Sequence, residues 1–551
     1  MTPKIQYTKS GNLSIAYQVF GSGPIDLVYI PGWVSNIDWM WACPELVHFF
    51  QELSKVVRII LFDKRGTGLS DRIVELSTLE ERMEDITAVM NATNSKKAIL
   101  FGHSEGGSVS ALFSATYPNR VLALISFGIF AKRRYSEDYP WAPTDEERQK
   151  VYDMIENDWG SGEMNLETLV PSKANDAHFM RWLASYFRSG ASPRAAMKLT
   201  KMNTQVNIIN ILKYIKVPTL LMQRTNDIDV KIEEGKFIAE RIKDSKFVEF
   251  DGDDHLFWAG NTQEVLTEMK NFIYQLPACD GCHKKRLSTM LFGQLMTSST
   301  HSLKSLLIDE CITEKGGKIM TINQRFFVAV FEVPSKAICL GINILQKLNA
   351  SGIAFSAGIY MNETAEDFSS PLNSRDDYMI TAILSLIKPN KIIVTQTIKQ
   401  LLSGAEFDFK KESSILTHST HELCKLYHVG KKQEQHEEKK NPYNFVKYDA
   451  FLENVLNIIN KNLDNNDFGV EMLTKATGVS ERQLQRKLKE TSGKSPSQLI
   501  MFIRLRKAKD SLISKNHTVS EIAFKYGFSS PSYFSKCFKK EFGMRPTEVF
   551  N

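Results

Sequence analysis

Three side chains in the first half of the sequence have the types and the order needed for nucleophilic catalysis. Ser104 lies in the motif Gly-His-Ser-Glu-Gly at 102–106, and Asp227 and His255 follow later in the chain. A serine hydroxyl is a weak nucleophile until a histidine accepts its proton and a carboxylate orients that histidine. The order serine, acid, histidine is typical of a serine carried on a strand–turn–helix. The sequence therefore predicts a catalytic triad, with Asp229 as a second candidate for the acid.

Acyl transfer at this serine also requires hydrogen-bond donors for the developing oxyanion. The glycines of the motif permit a sharp turn, which lets the backbone amide of Glu105 face that oxyanion. A second donor is expected from the loop after an early strand, where the sequence has Pro-Gly-Trp at 31–33. The amide of Trp33 is the candidate for this second donor.

The elements that must position these residues are short apolar runs alternating with helical patterns across residues 1–277. Because the runs are apolar on both faces, they predict buried parallel strands and an α/β fold. From about 132 to 215 the runs stop and aromatic residues recur at helical spacing, which predicts a helical cap over the site. The predicted strands are Asp26–Ile30, Val57–Phe62, Ala98–Phe101, Leu122–Phe127, Pro218–Met222 and Phe247–Phe250.

Taken together, residues 1–277 resemble the α/β-hydrolase fold. The resemblance rests on the serine motif with its flanks, on the later acid and base, and on the loop Asp63–Ser70. It implies a site for a small apolar or ester ligand. Two interpretations stay open: the triad hydrolyses an ester or acyl compound, or an inactive hydrolase serves as a ligand pocket.

Residues 286–415 form a second unit with shorter elements, and this unit resembles the class III nucleotide cyclase domain. The order of its apolar segments carries the resemblance, which implies an α+β fold. The segments are Leu287–Phe292, Met320–Glu332, Gly358–Glu363 and Pro389–Thr395.

The charged residues that a cyclase of this class needs are missing from the aligned positions. Gln294 and Gln324 stand where the family has metal-binding aspartates, and a neutral amide does not replace a carboxylate in holding Mg²⁺. Met320 aligns with the lysine that reads the purine base in this family. Tyr378 and Ala382 align with the Asn and Arg, later in the sequence, that stabilise the transition state. No cyclase activity, metal or cofactor is expected. Since cyclase domains build their sites at dimer interfaces, pairing of two chains through this unit is a hypothesis.

The last part of the chain, residues 447–551, contains two helix–turn–helix patterns, and Gly478 and Gly527 mark their turns. Glycine permits the tight turn that orients the second helix of each pair for a DNA major groove. Between the pairs, 496–513 predicts a linking helix of roughly 27 Å at 1.5 Å per residue. That length suits two recognition helices in successive major grooves, about 34 Å apart. The charged stretch 430–446 predicts a linker before this domain.

This all-α tail is similar to the AraC/XylS family of transcription regulators over nearly its full length, which implies binding to double-stranded DNA. One departure is Thr474, where the family usually has alanine. The residues that carry the similarity are Val479–Ser480, Leu484, Arg486, Gly493–Pro496, Arg504–Ala508, Ile522–Ala523, Gly527–Phe528, Tyr533–Phe534, Phe538–Lys540 and Phe542–Pro546.

Helical periodicity separates the inner from the outer positions of the two recognition helices. Leu484 and Leu488 are predicted to face inward, as are Tyr533, Phe534 and Phe538. Arginine suits guanine and glutamine suits adenine in the major groove, whereas contacts to phosphate only position the protein. Candidates to face the bases are Glu481, Arg482 and Gln485, with Ser532, Ser535, Lys536 and Lys539 exposed on the second helix. Candidates for phosphate contact are Arg486, Lys489, Arg504, Lys507 and Lys540.

The charge distribution agrees with a DNA-binding tail. The net charge of the 551 residues is +6. Residues 451–551 carry 17 Lys/Arg and 10 Asp/Glu, a net charge of +7, so the other 450 residues sum to −1. A basic excess confined to one domain indicates that this domain binds the phosphate backbone of DNA.

Composition sets the broad class and the expected compartment. With 42% hydrophobic and 24% charged residues the chain is globular, and its length predicts about three to four domains. No run is apolar enough to span a membrane, and the first residues lack a signal core, so a cytoplasmic location is expected. Cys279, Cys282 and His283 match a haem-attachment pattern, but with no export signal we interpret them as incidental thiols at a domain joint.

The sequence thus predicts a multidomain regulator with an α/β-hydrolase fold, an α+β cyclase-like domain and an all-α tandem helix–turn–helix domain. The hydrolase-like part senses or hydrolyses a small ester or acyl ligand, and the tail binds a specific DNA site. The alternative is a serine esterase with an autoregulatory DNA-binding tail.

Overall fold

The computed structural model divides into two compact units, Met1–Gln433 and Glu434–Asn551. The residues it describes are 2–72, 77–159, 164–277, 283–296, 308–365, 367, 372–403, 407–416, 423–431, 455, 458–492, 495–513, 518–542 and 544–550.

The first unit begins with an eight-stranded sheet in the order β1-β2-β4-β3-β5-β6-β7-β8. β1 and β2 join antiparallel at one edge, and the strands from β4 to β8 are parallel. All six predicted strands are present, and β1 and β2 are additional. The strands are β1 (Gln6–Ser10), β2 (Leu13–Phe20), β3 (Ile25–Ile30), β4 (Val57–Phe62), β5 (Ala98–His103), β6 (Val121–Phe127), β7 (Thr219–Arg224) and β8 (Lys246–Phe250).

Alternate residues of the central strands feed two apolar layers, one on each face of this sheet. In β3, Leu27 and Tyr29 belong to one core and Val28 and Ile30 to the other. Helices cover both faces, and α4 to α6 lie within the segment where the sequence predicts a cap. The helices are α1 (Pro44–Leu53), α2 (Leu79–Ala92), α3 (Glu105–Thr116), α4 (Asp145–Asn157), α5 (Ala177–Gly190), α6 (Pro193–Thr204), α7 (Ile232–Ala239) and α8 (Thr262–Tyr274).

A second sheet follows in the same unit, with seven strands in the order β10-β11-β9-β12-β13-β15-β14. Only β12 and β13 pair in parallel; the other neighbours are antiparallel. The strands are β9 (Lys285–Leu295), β10 (Lys318–Ile322), β11 (Phe326–Phe331), β12 (Phe355–Ala365), β13 (Ile392–Thr395), β14 (Phe407–Leu416) and β15 (Leu423–Lys431), and the helices are α9 (Ile308–Glu314), α10 (Pro334–Ala350), α11 (Ser374–Leu384) and α12 (Gln396–Leu401).

This sheet differs from the sequence-based boundaries in two ways. The predicted domain end at residue 415 falls inside β14, and the sheet continues to Lys431. Residues 430 and 431 of the predicted linker therefore belong to β15, and 432–446 lie outside the described residues. The two sheets are also packed together: Leu287, Val333 and Leu401 share an apolar cluster with the first sheet. They therefore form one compact unit rather than two separate ones.

The second unit contains two small helical bodies joined by a long helix. Leu473, Leu484 and Leu488 pack in the first core, and Phe534 and Phe538 pack in the second. The long helix α15 contributes to both cores. The helices are α13 (Val470–Thr477), α14 (Glu481–Ser492), α15 (Pro496–Ile513), α16 (Val519–Lys525) and α17 (Pro531–Phe542).

The turns of both helix pairs depend on glycine. Gly478 and Gly527 each have φ of 70°, a left-handed conformation in which a side chain is strained. Within the described part of the chain, no helix combines the length and the apolar character needed to cross a membrane.

Candidate functional site

The turn between β5 and α3 presents Ser104 in a strained conformation. Its φ of 53° and ψ of −123° are rare for a residue with a side chain and recur at functional sites. The turn is tight because a Cβ atom on Gly106 would lie 2.1 Å from the carbonyl oxygen of Ile30. The Ser104 hydroxyl forms no hydrogen bond with a described residue, and the residue lines a cavity.

His255 and Asp227 are paired at the cavity that Ser104 lines. The Nδ1 atom of His255 lies 2.7 Å from Oδ2 of Asp227, and the other oxygen of Asp227 accepts hydrogen bonds from the amides of Asp229 (2.9 Å) and Val230 (3.1 Å). Because a carboxylate only accepts, Nδ1 carries the proton and Nε2 is left free to accept one. Both side chains are buried, and His255 lines the same cavity as Ser104.

Asp229, the other candidate acid, has a different setting. Its carboxylate is bonded to Nη2 of Arg133 at 2.5 Å, and its Oδ2 atom lies 3.6 Å from Nε2 of His255. That contact is on the wrong nitrogen for a group that orients the base. The geometry therefore favours Asp227 over Asp229 as the acid of the triad.

Opposing effects set the pKa of His255. Burial alone would lower it, but the carboxylate of Asp227, and then that of Asp229, raise the pKa above its ordinary value. A raised pKa makes His255 a stronger base for the serine proton and stabilises the imidazolium that results.

His103, inside the serine motif, is a supporting residue that the sequence analysis did not single out. Its Nε2 atom donates to the carbonyl oxygen of His255 at 3.0 Å, and the two rings lie 5.1 Å apart. Burial, and then the nearby His255, lower the pKa of His103 to about 3, so the ring stays neutral. It fixes the backbone of the base rather than taking part as a second base.

The two predicted oxyanion donors lie on neighbouring segments. Neither the Trp33 amide nor the Glu105 amide donates to another described residue, and both residues line the cavity. Lys64 ties the two segments together: its ammonium donates to the carbonyl oxygens of Gly32 and Trp33 and, at 3.0 Å, to Oε2 of Glu105. The loop that carries one donor is thereby attached to the residue that carries the other.

The side chain of Glu105 is part of a buried charge network that sequence reasoning missed. It pairs with Lys64 and Arg82 and accepts a hydrogen bond from Asn203 of α6 at 2.7 Å. Burial, and then the Arg82 guanidinium, hold the pKa of Lys64 well below its ordinary value, while burial lowers the pKa of Arg82 to about 9. The partners are up to 98 residues apart in the chain, so no local signal reveals them.

The cavity above Ser104 has a volume of about 300 Å³. Cap residues from α4, α5 and α6 contribute to its wall, which agrees with the predicted cap. The wall is largely apolar, with Tyr29, Trp33, Phe130, Met154, Leu166, Leu169, Tyr186, Phe187, Leu256 and Trp258 among its residues. Such a cavity suits a small ligand with an apolar body.

In the second unit, the predicted base-facing positions of α14 are exposed. Glu481, Arg482, Gln485 and the phosphate candidate Arg486 point to solvent, opposite the buried Leu484. The predicted inner face of this helix is confirmed. The side chain of Lys489 lies outside the described residues.

Most of the positions of α17 that the sequence predicts to be exposed are exposed in the structure. Ser532, Lys536, Lys539 and Lys540 are exposed and Ser535 is half-buried. Tyr533 was predicted to pack inside with Phe534 and Phe538, but it is 49% exposed, while the two phenylalanines are fully buried. The tyrosine ring therefore adds to the outer face, because the core is already filled by its neighbours.

Arg504 does not serve as the predicted phosphate contact. It is buried, and its Nη2 atom donates to the backbone oxygens of Asn465 (2.5 Å) and Phe468 (3.4 Å). It holds the segment before α13 to the long helix α15, and Gly527 lies against the same guanidinium. Lys507, on the same helix, is half-buried.

In the middle sheet, the positions aligned with cyclase metal ligands lie at the same end of neighbouring strands. Gln294 is near the end of β9, paired with Phe326, and Gln324 is in the hairpin between β10 and β11. Met320 lies on β10. Tyr378 and Ala382 lie on α11, and the hydroxyl of Tyr378 donates to the Leu416 carbonyl oxygen at 3.0 Å.

The described part of the chain contains no group of three or more His, Cys, Asp or Glu residues arranged so that it could hold a metal ion. Cys279 and Cys282 lie outside the described residues. The backbone of His283 is hydrogen-bonded to the side chain of Asn119.

Two family models match the chain. One, described as the alpha/beta hydrolase fold, matches residues 27–260, and the other, described as a helix-turn-helix domain, matches residues 473–551. Residues between the two matches include the whole second sheet.

Parts of the chain are also similar to known proteins. The bifunctional esterase/perhydrolase DCH of Acinetobacter calcoaceticus is 26% identical over 283 residues, which covers 48% of this chain and 98% of that protein. The HTH-type transcriptional activator RhaS of Salmonella arizonae is 34% identical over 79 residues, 14% of this chain and 28% of RhaS. Histidine kinase P4 of Formosa agariphila is 34% identical over 103 residues, and this chain spans 8% of its length.

The fold and these similarities agree at both ends of the molecule. The parallel sheet with its serine turn coincides with one matched region, and the paired helices coincide with the other. The chain therefore joins an N-terminal α/β-hydrolase domain to a C-terminal AraC-type helix–turn–helix domain.

Proposed function

We propose that this protein is a sequence-specific DNA-binding transcription regulator whose hydrolase domain senses or hydrolyses a small ester or acyl ligand. The observation that carries the proposal is the presence, in one chain, of a ligand-sized cavity at Ser104 and of two recognition helices with polar outer faces. The hydrolase domain would detect the ligand, and the DNA-binding unit would respond by a change in its binding to DNA. Acting on chromosomal DNA, the protein would work in the cytoplasm.

The geometry at the cavity supports an acyl-transfer mechanism. The hydroxyl oxygen of Ser104 attacks the ester carbonyl carbon while Nε2 of His255 takes the hydroxyl proton, and Asp227 stabilises the imidazolium. The amides of Glu105 and Trp33 hold the oxyanion. Collapse of the intermediate expels the alcohol, which receives the proton from His255. Water then attacks the acyl-serine by the same route and releases the acid.

The exposed polar residues of α14 support direct reading of DNA bases. Arg482 is suited to the two acceptors of guanine and Gln485 to adenine, as judged by their hydrogen-bonding groups. Arg486 on the same helix and Lys540 on α17 are exposed cations and would contact phosphates, which fix orientation without reading sequence. The basic charge of the tail supports this role.

For the middle sheet we propose a degenerate class III cyclase-like domain that pairs two chains. Gln294 and Gln324 lie near each other in the order that the resemblance requires, and neither carries the charge needed for Mg²⁺. A domain that lost its chemistry and kept its pairing surface would bring two DNA-binding tails to one operator. Light scattering on the full-length protein is expected to show a dimer, and a monomer would contradict the pairing.

The alternative function is a serine esterase with an autoregulatory DNA-binding tail. The assembled His255–Asp227 pair favours it, because a pocket used only for sensing has no need of a polarised base. Release of 4-nitrophenolate from short 4-nitrophenyl esters, compared between the native protein and Ser104→Ala, distinguishes the two. Turnover lost in the variant supports the enzyme; ligand-dependent DNA binding that survives in the variant supports the sensor.

A further inference from the structure

The cavity above Ser104 contains a buried cation that the proposed chemistry does not use. Arg148 of α4 lines this cavity and is 6% exposed. It lies within the predicted cap, and its hydrogen-bond partners Thr200 and Thr204 belong to the neighbouring cap helix α6.

Hydrogen bonds hold Arg148 in place but do not neutralise it. Its Nε atom donates to the Thr204 hydroxyl at 3.0 Å, and Nη2 donates to the Thr200 carbonyl oxygen at 3.3 Å. Its guanidinium also lies 5.7 Å from the centre of the Tyr152 ring. Among the described residues, no carboxylate lies within ion-pair distance of it.

Asp229, which lines the same cavity and attracts Arg148 electrostatically, is already engaged. Asp229 is bonded to Arg133 at 2.5 Å and lies 3.6 Å from Nε2 of His255. Glu105, the second carboxylate that lines the cavity, is likewise engaged, because it pairs with Lys64 and Arg82. The cavity is therefore lined by two guanidinium groups and two engaged carboxylates, and the exposed Lys150 adds a further positive charge at its wall. The balance of charge is positive.

An uncompensated charge in an apolar site is costly, and an incoming group of opposite charge relieves that cost. Guanidinium groups match carboxylates especially well, because two parallel hydrogen bonds form between planar partners. The rest of the wall is largely apolar, so we expect the compensating group to belong to a ligand whose body is hydrophobic. Burial, and then the nearby Arg133, lower the pKa of Arg148, which agrees with a cation that lacks a partner.

From this arrangement we infer that the ligand of the hydrolase domain is an ester or acyl compound carrying a carboxylate, and that Arg148 binds the carboxylate. The inference rests on the proposed function in that the ester group is placed at Ser104. It adds a polar anchor at the cap, with the apolar chain of the ligand between the two ends.

Two matched pairs of probes test this inference on the full-length protein. Mono-4-nitrophenyl adipate is compared with neutral 4-nitrophenyl hexanoate, and mono-4-nitrophenyl suberate with 4-nitrophenyl octanoate, so that chain length is equal within each pair. Affinity is measured by calorimetry on Ser104→Ala protein, where turnover does not interfere. The anionic member of at least one pair is expected to bind about tenfold to a hundredfold more tightly, as charge-assisted hydrogen bonds typically provide.

Variants of the cap assign that preference to one residue. Arg148→Met is expected to abolish it, and Arg148→Lys to retain part of it. Arg134→Met is the matched control, because Arg134 is an exposed cap arginine paired with Asp145 and does not line the cavity. Circular dichroism melting curves establish that each variant is folded.

The inference is overturned if neither anionic probe binds better than its neutral partner, or if a folded Arg148→Met protein keeps the preference. Where Arg148→Met does not fold, Arg148→Lys tests the assignment: a reduced preference supports Arg148 as the binding residue, and an undiminished preference overturns it. Failure of the esterase role is separately visible: the native protein would hydrolyse none of the four probes while Arg148-dependent binding persisted. Conversely, if the native protein hydrolyses the probes and Ser104→Ala binds anionic and neutral probes equally well, the esterase role stands and this inference fails.

Discussion

The functional residues of the hydrolase cavity and those of the recognition surface of the tail differ in their exposure and in what holds them in place. In the cavity, Ser104, Asp227 and His255 are each at most 8% exposed and depend on partners from distant segments. On α14, Arg482 and Gln485 are exposed and depend only on the helix that carries them. A change in the cavity therefore affects function and stability together, whereas a change on the recognition helices affects binding with little effect on folding.

The largest expected effect is the loss of ester hydrolysis in Ser104→Ala. Removing the nucleophile of a serine triad typically lowers kcat by about 10⁴- to 10⁶-fold, because the acyl-enzyme route is closed. Steady-state release of 4-nitrophenolate measures it, and DNA affinity without ligand should stay unchanged. A variant that retains most of the activity would show that Ser104 is not the nucleophile.

A large effect on stability is expected from Glu105→Ala. The substitution leaves Arg82 and Lys64 buried without their carboxylate, and breaking a buried pair costs ~3–5 kcal/mol. The midpoint of urea unfolding, followed by tryptophan fluorescence, should fall accordingly. Asp145→Ala, which breaks an exposed pair with Arg134, is the control and should cause little measurable change. Similar midpoints for both variants would contradict the contrast between buried and exposed charges.

On the recognition surface, Arg482→Ala is expected to weaken binding to the specific site by ~1–3 kcal/mol and to spare binding to random DNA. Lys540→Ala is the matched comparison, because a phosphate contact weakens binding to all sequences and lowers the salt dependence. Fluorescence anisotropy at several salt concentrations separates the two patterns. Equal losses on both kinds of DNA in Arg482→Ala would remove its base-reading role.

A smaller effect concerns the pH dependence of hydrolysis. Since Asp227 and Asp229 raise the pKa of His255, and only the neutral imidazole accepts the serine proton, kcat/KM should rise with pH through a midpoint above 6.5. In Asp227→Asn that midpoint should move to lower pH. A native midpoint below 6.5 would show that burial outweighs the carboxylates.

The same raised pKa has an opposite consequence for folding. The folded state binds the His255 proton more tightly than the unfolded chain does, so this group stabilises the fold most fully below the unfolded pKa. That contribution is lost as the pH rises through the folded pKa. Activity and this part of the stability therefore change in opposite directions with pH.

How much could be predicted from sequence also differs between the two regions. The motif around Ser104 predicted the turn, because strand, glycines and helix are contiguous. The sequence did not decide whether Asp227 or Asp229 is the acid of the triad, because the conformation of the loop after β7 determines which of them reaches Nδ1 of His255. Lys64 and Arg148 were missed because their partners come from segments far away in the chain.

In the tail, helical periodicity predicted the buried Leu484 and Leu488 correctly. It placed Arg504 on the DNA side of α15, because a period describes one helix and not the segment that packs across it. The carbonyl groups of Asn465 and Phe468 occupy that side. In the middle of the chain, the boundary at 415 was early because β14 and β15 alternate polar and apolar residues at an edge of the sheet, where burial is weak.

The central claim is that one chain joins a small-molecule pocket to the reading of a DNA site. The most direct test is to sequence the genomic fragments that the purified protein retains and to measure its affinity for the recovered site and for a scrambled copy at physiological salt. The account predicts that the recovered site is bound at least about 10³-fold more tightly, and that an ester bound at Ser104 changes this affinity. Equal affinity for both sequences, with and without the ester, would contradict it.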